Sequence, residues 1–114
     1  MVIKKLILHK YKRFFLNNIE TIEYTPEKPN QIIMGSNGSG KSSLFRELNP
    51  LPADIKKNYY EGGYKEIHIE HLNSIYILSS GKTNPSKHSF VKDEIELNDS
   101  GTKTIQLDLV KQHF

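Results

Sequence analysis

Residues 35–42 read Gly35-Ser36-Asn37-Gly38-Ser39-Gly40-Lys41-Ser42, which fits G-x-x-x-x-G-K-[ST] at every fixed position. The spacing has a chemical reason. Glycines let successive backbone N–H groups turn inward and approach a phosphate chain without side-chain clash. A helix opening directly after the loop adds unpaired N-terminal donors and the positive end of its dipole. Lys41 then supplies a point charge to the β- and γ-phosphates, and Ser42 a hydroxyl ligand for Mg²⁺, which prefers oxygen and stays partly hydrated. The expected ligand is a nucleoside triphosphate, ATP with Mg²⁺. A glycine-rich turn can match such a pattern by accident, so its surroundings decide. Gln31–Met34 is a short apolar run suited to a buried strand, and Ser42–Leu48 reads as a helix with Leu44, Phe45 and Leu48 on one face.

Other residue types that could do chemistry are scattered. His68 and His71 lie three apart on an expected strand and so point to opposite faces, as do Asp93 and Glu96. Neither pair has the spacing of a metal site or of a two-carboxylate acid–base centre. Tyr59, Tyr60 and Tyr64 could stack on a base, but aromatics of this size more often cover a sheet or a helix end. Gln106 and Gln112 read as surface residues of a strand or helix.

The elements that must carry the loop follow from periodicity. Residues 2–9 look like a strand, followed by a basic turn at Lys10–Arg13, and 19–25 alternate like a half-buried strand. Asn49-Pro50-Leu51-Pro52 stops the helix after the loop. A polar, tyrosine-rich stretch then ends in a Gly62-Gly63 turn. Residues 64–71 and 74–80 form an expected hairpin, with Ile67 and Ile69 facing one way. Residues 81–89 read as a loop. A second hairpin is expected from Phe90–Leu97 and Thr102–Leu107 around Asn98–Gly101. Leu109, Val110, His113 and Phe114 share one face of a helix starting near Asp108, and no terminator follows them, which reads as a truncated fragment of a larger protein.

A chain of 114 residues makes one domain at most. With 36% hydrophobic and 25% charged residues it falls in the soluble globular class, not the disordered one. It has no apolar run near the roughly 18 residues of a membrane span. Its start has no signal-peptide pattern, and it has no cysteine for disulfides or thiolate metal sites. The cytoplasm is the expected compartment. The formal charge is +3, with a basic cluster at Lys4, Lys5, Lys10, Lys12 and Arg13. Lysines that keep a strand edge soluble account for this cluster more simply than a nucleic-acid surface does.

The loop, as GSNGSGKSS entered from QIIM, resembles the G-x-N-G-x-G-K-S/T loop of ABC-type ATPases of the SMC, RecF and SbcC group. The opening, with Ile3, Leu6, Leu8, Tyr11 and Phe14, resembles the first strand of those heads, although Lys10 stands where an asparagine is common. GSNGSGKSSLFRELNPLPAD followed by GGYKEIHIEH looks most like the large SbcC-type subunit of tailed-phage recombination and repair exonucleases. The resemblance implies an α/β fold, the N-terminal lobe of a phosphate-loop ABC-ATPase head over residues 1–114, with a mainly antiparallel sheet and one helix after the loop. It implies ATP and Mg²⁺ as cofactors, DNA ends as substrate, an SbcD-like nuclease subunit as partner and pairing of two heads in the parent protein. By position, Asn37, Gly38, Gly40, Lys41, Ser42 and Ser43 would hold phosphate and metal. Lys12 stands where the family often has an arginine near the nucleotide, which makes it an auxiliary phosphate contact without the planar fork.

Other parts of such a machine are not in the sequence. No apolar run ends in Asp-Glu; Val91–Glu94 and Ile105–Asp108 are polar where that motif should be apolar. There is no LSGG-like signature and no heptad segment. Phosphoryl transfer needs a positioned metal and water besides a phosphate cradle. The chain alone is therefore expected to bind nucleotide weakly, to hydrolyse it poorly and to hold no catalytic residue. The competing readings are a small phosphate-loop kinase or GTPase-like enzyme and a stand-alone, non-hydrolysing regulatory module that binds nucleotide or DNA.

Overall fold

The computed structural model describes residues 1–15, 20–26, 46–82 and 86–114. Six strands run through them: β1 (Val2–Tyr11), β2 (Thr21–Tyr24), β3 (Tyr59–His71), β4 (Ser74–Gly81), β5 (Lys87–Lys92) and β6 (Ile95–Glu96). They form one sheet in the order β2-β1-β3-β4-β5-β6. Every neighbouring pair is antiparallel. Among the described residues, the helices with both ends in view are α1 (Lys12–Phe15), α2 (Ile55–Asn58) and α3 (Lys103–His113).

This architecture overturns the expected α/β phosphate-loop fold. Strand makes up about half of the described residues and the helices are short. Consecutive strands joined by hairpins need no crossover helices, and an α/β architecture is built from those crossovers. The expected strand Gln31–Met34 and the loop itself lie outside the described residues, as do Ser42–Phe45 of the helix that follows. The chain enters view at Arg46 and Glu47, which are helical, and it bends over Leu48–Leu51 where the prolines were expected to stop the helix.

One face of the sheet makes the core, because alternate residues of each strand meet in register. Tyr24, Leu6, Ile67, Leu78 and Phe90 form one row across five strands, and all five are buried. Val110 of α3 joins this core, and Leu109 and Phe114 pack against it. The β3–β4 hairpin lies where alternation placed it, closing through Leu72 and Asn73 at φ of 49° and 66°. Positive φ at both central positions is the type I′ pattern, whose twist matches that of the strands.

The basic turn expected at Lys10–Arg13 is the end of β1 and the start of α1, and β5 begins inside the loop expected over 81–89. Three further expectations fail at the level of elements. Gly62-Gly63 is no turn: β3 runs straight through it, and the register with β1 is irregular there. A Cβ at Gly63 would sit 2.8 Å from both the His9 and the Tyr60 carbonyl oxygens. Gly63→Ala should therefore lower stability by about 2 kcal/mol through overpacking against backbone. Gly81→Ala, where the nearest atoms are 3.9 and 4.0 Å away, should leave the urea midpoint nearly unchanged. Second, Thr102–Leu107 is not a strand: β5 turns back through Asp93 and Glu94 into β6, so the hairpin closes earlier. Third, the last helix begins at Lys103, not near Asp108, with the Thr102 hydroxyl accepting from the Ile105 N–H at 3.4 Å. Threonine at that position is a good N-cap. Among the described residues no helix is long and apolar enough to cross a membrane.

Candidate functional site

One step along the sheet from the apolar row, the register brings together Leu8, Lys65, Ser80 and His88. Lys65 and Ser80 are each 2% exposed and His88 is 5% exposed. A polar row on the core face requires polar partners, since a buried donor or acceptor left alone costs about 1–3 kcal/mol. The segment that follows the glycine-rich stretch 35–42 supplies them. The Lys65 ammonium donates to the Asn49 carbonyl at 2.9 Å and the Leu51 carbonyl at 3.0 Å, and stands 3.6 Å from the Glu47 carboxylate. The Ala53 N–H donates to the Ser80 hydroxyl at 3.4 Å, and that hydroxyl shares a 2.8 Å hydrogen bond with Nδ1 of His88.

Glu47 is held from a second side. The Tyr59 hydroxyl donates to its Oε1 at 3.0 Å, and the Tyr59 ring lies 5.1 Å from that of Tyr11. Burial and the Glu47 charge push the phenols of Tyr59 and Tyr11 above the usual tyrosine range. Burial also pulls the Lys65 ammonium down to about 8, against the opposing pull of Glu47. The post-loop chain is thus fastened to the sheet by a buried cation, a carboxylate and a phenol.

Beside this fastening lies a cleft of about 290 Å³ whose walls include Arg13, Arg46, Lys57, Asn49 and Asn58. Glu47 and Asp54 also reach it, but Glu47 is tied to Lys65 and Tyr59, and Asp54 caps α2 by accepting from the Lys57 N–H at 3.3 Å. The cleft therefore presents cations and amides. Its chemistry suits an anionic, hydrogen-bonding ligand.

Of the site residues expected from sequence, Gly35, Ser36, Asn37, Gly38, Ser39, Gly40, Lys41, Ser42 and Ser43 lie outside the described residues. Lys12 opens α1, and its ammonium sits 5.4 Å from the centre of the Tyr60 ring, a cation–π distance. Tyr59 covers the helical residue Glu47, as aromatics near a helix end were expected to do. His68 bonds Glu66 at 2.9 Å, while His71 packs 5.3 Å from the Phe114 ring, so the two do not converge. Gln106 corrects the sequence: it is 1% exposed rather than a surface residue. The polar row was missed, although Lys65 shares the alternation of Ile67 and Ile69, and a charge in an apolar stripe is the signal that finds it. Compared with models of known protein families and with curated proteins, the chain matches none.

Proposed function

We propose that Gly35–Ser42 binds the triphosphate of ATP with Mg²⁺, and that the chain is the ATP-binding part of a DNA repair or recombination ATPase working with a nuclease subunit at DNA ends. The observation that carries this is the complete eight-residue phosphate motif. Two features at its exit support it. Lys65, Glu47 and Tyr59 fasten the chain leaving the loop, which gives a phosphate cradle a fixed footing. Arg13, Arg46 and Lys57 line a cleft beside that footing. The proposal rests on the loop's backbone donors, Lys41 and Ser42. It does not require an α/β architecture. The link to DNA ends and a nuclease rests on the resemblance of the loop and of the residues after it.

Calorimetric titration with MgATP tests the binding claim. Lys41→Ala removes one charge-assisted contact worth about 1.5–3 kcal/mol, so affinity should fall roughly 10- to 100-fold. Ser42→Ala should weaken MgATP more than metal-free ATP, because the hydroxyl serves the metal. Equal binding by Lys41→Ala and the unchanged chain would overturn the assignment, as would no binding at millimolar MgATP.

A further inference from the structure

The polar row ends at His88, and beyond it lies a second cleft that the proposed ATP site does not use. This cleft measures about 300 Å³ and is lined by Lys56, Lys103, Ser86, His88 and Asp54, with Ala53 and Ile55 between them. We propose that it binds a phosphate group, held by the Lys56 and Lys103 ammoniums, the Ser86 hydroxyl and Nε2 of His88.

His88 is fixed from behind. Its Nδ1 is engaged by Ser80, its backbone N–H donates to the Gly101 carbonyl at 2.9 Å, and its own carbonyl accepts from the Asn98 amide at 3.2 Å. A 5%-exposed imidazole held this way has one ring nitrogen left over among the described residues, and His88 lines the cleft. When the Ser80 hydroxyl donates to Nδ1, the neutral ring carries its proton on Nε2 and offers a donor without becoming charged. Burial, and after it the charge of Lys103, holds the imidazole below the usual histidine range. Lys103, which lines the cleft, is also the first residue of the 11-residue helix α3. Among the described residues that line it, the single acid, Asp54, has a carboxylate oxygen committed to the cap of α2. Two exposed ammoniums without an ion pair among the described residues, a serine hydroxyl and a positioned imidazole donor, against one engaged carboxylate, suit a tetrahedral oxyanion.

The phosphate can come from two sources, free inorganic phosphate or the backbone of duplex DNA, and one experiment separates them. The 114-residue chain carrying Lys41→Ala, which weakens the loop as a competitor, is titrated with inorganic phosphate while the His88 ring resonances are followed by NMR. Those resonances should shift saturably, and the imidazole should become easier to protonate because an anion beside it favours the charged form. Adding Lys56→Glu and Lys103→Glu, both at exposed positions, should weaken this response at least about tenfold with the amide spectrum otherwise intact. Displacement of phosphate by a short DNA duplex, itself lost in the charge-reversed variant, assigns the site to backbone phosphate. Saturation by phosphate that DNA does not reverse assigns it to a free phosphate. His88 resonances that do not move, or an equal response in the charge-reversed variant, would overturn the proposal.

Discussion

Lys65→Met should destabilise the chain by about 3–5 kcal/mol, the usual cost of removing one member of a buried ion pair. The ammonium serves the Asn49 and Leu51 carbonyls, the Asn49 side-chain oxygen and the Glu47 carboxylate at once. Without it the Asn49 and Leu51 carbonyls lose their buried donor, and among the described residues the Glu47 carboxylate keeps only the Tyr59 hydroxyl. Methionine fills much of the volume, so the loss reports polar satisfaction and not a cavity. Adding Glu47→Leu to Lys65→Met should restore at least about 1 kcal/mol, since an apolar pair no longer strands a charge. Urea midpoints of the two single variants and the double variant provide the measurement. A Lys65→Met midpoint equal to that of the unchanged chain would show that Lys65 does not fasten the post-loop segment.

The same lysine gives an alkaline signature. Its folded-state value is about 8 and its ordinary value 10.5. Below pH 8 both the folded and the unfolded chain carry the proton, and the full cost of burying the charge is felt. Between pH 8 and 10 the folded chain gives the proton up while the unfolded chain keeps it, so stability rises with pH. The rise should be roughly 2 kcal/mol across that window. Above pH 10 the gain is opposed, because unfolded tyrosines ionise while the raised phenols of Tyr59 and Tyr11 hold their protons in the fold. Lys65→Met should flatten the slope between pH 8 and 10. A parent chain whose stability falls steadily from pH 7 to 10 would contradict this assignment of the proton.

The sequence was legible where one period controlled one element. Alternation at Ile67 and Ile69 located β3 and β4 because one face of each strand must be buried and the other need not be. The fold class was not legible. An eight-residue motif constrains the ligand its backbone can hold, but the arrangement of a sheet depends on which strands pair over long separations. β1 pairs with β3 across large gaps in sequence, from Tyr11 with Tyr59 to Val2 with Glu70. The polar row was hidden for the same reason: Lys65, Ser80 and His88 are ordinary residues of three separate segments until register aligns them. The Gly-Gly pair misled in the opposite direction. Glycine marks a close backbone approach as readily as a turn, and at Gly63 the carbonyls of His9 and Tyr60 supply that approach.

Asn98→Ala should cost about 3 kcal/mol, although Asn98 looks in sequence like the first residue of an exposed hairpin turn. Its amide nitrogen lies 3.2 Å from the His88 carbonyl, 3.1 Å from the Thr102 carbonyl and 3.1 Å from Oε1 of Gln106. Its Oδ1 accepts from the Gly101 N–H at 3.1 Å, which fixes a turn whose glycine has a φ of 69°. Gln106 in turn donates to the Ser89 carbonyl at 2.7 Å. This chain of amides joins β5 to the first turn of α3, so removing Asn98 leaves buried groups on both elements without partners. Asparagine and glycine signal a turn equally well in a hairpin and ahead of a helix cap; Thr102, followed by a helical run, is what distinguishes the two here. Asn98→Asp separates the contributions. It keeps the acceptor for Gly101 but sets a carboxylate against the carbonyl oxygens of His88 and Thr102 and Oε1 of Gln106. At pH 7 it should be at least as destabilised as Asn98→Ala, and part of the loss should return as the pH falls toward 4 and the carboxyl takes up a proton that it can donate. Denaturation midpoints of both variants at pH 7 and pH 4, each compared with the parent at the same pH, check this. An Asn98→Asp chain as stable as the parent at pH 7 would mean that the amide does not tie α3 to the sheet.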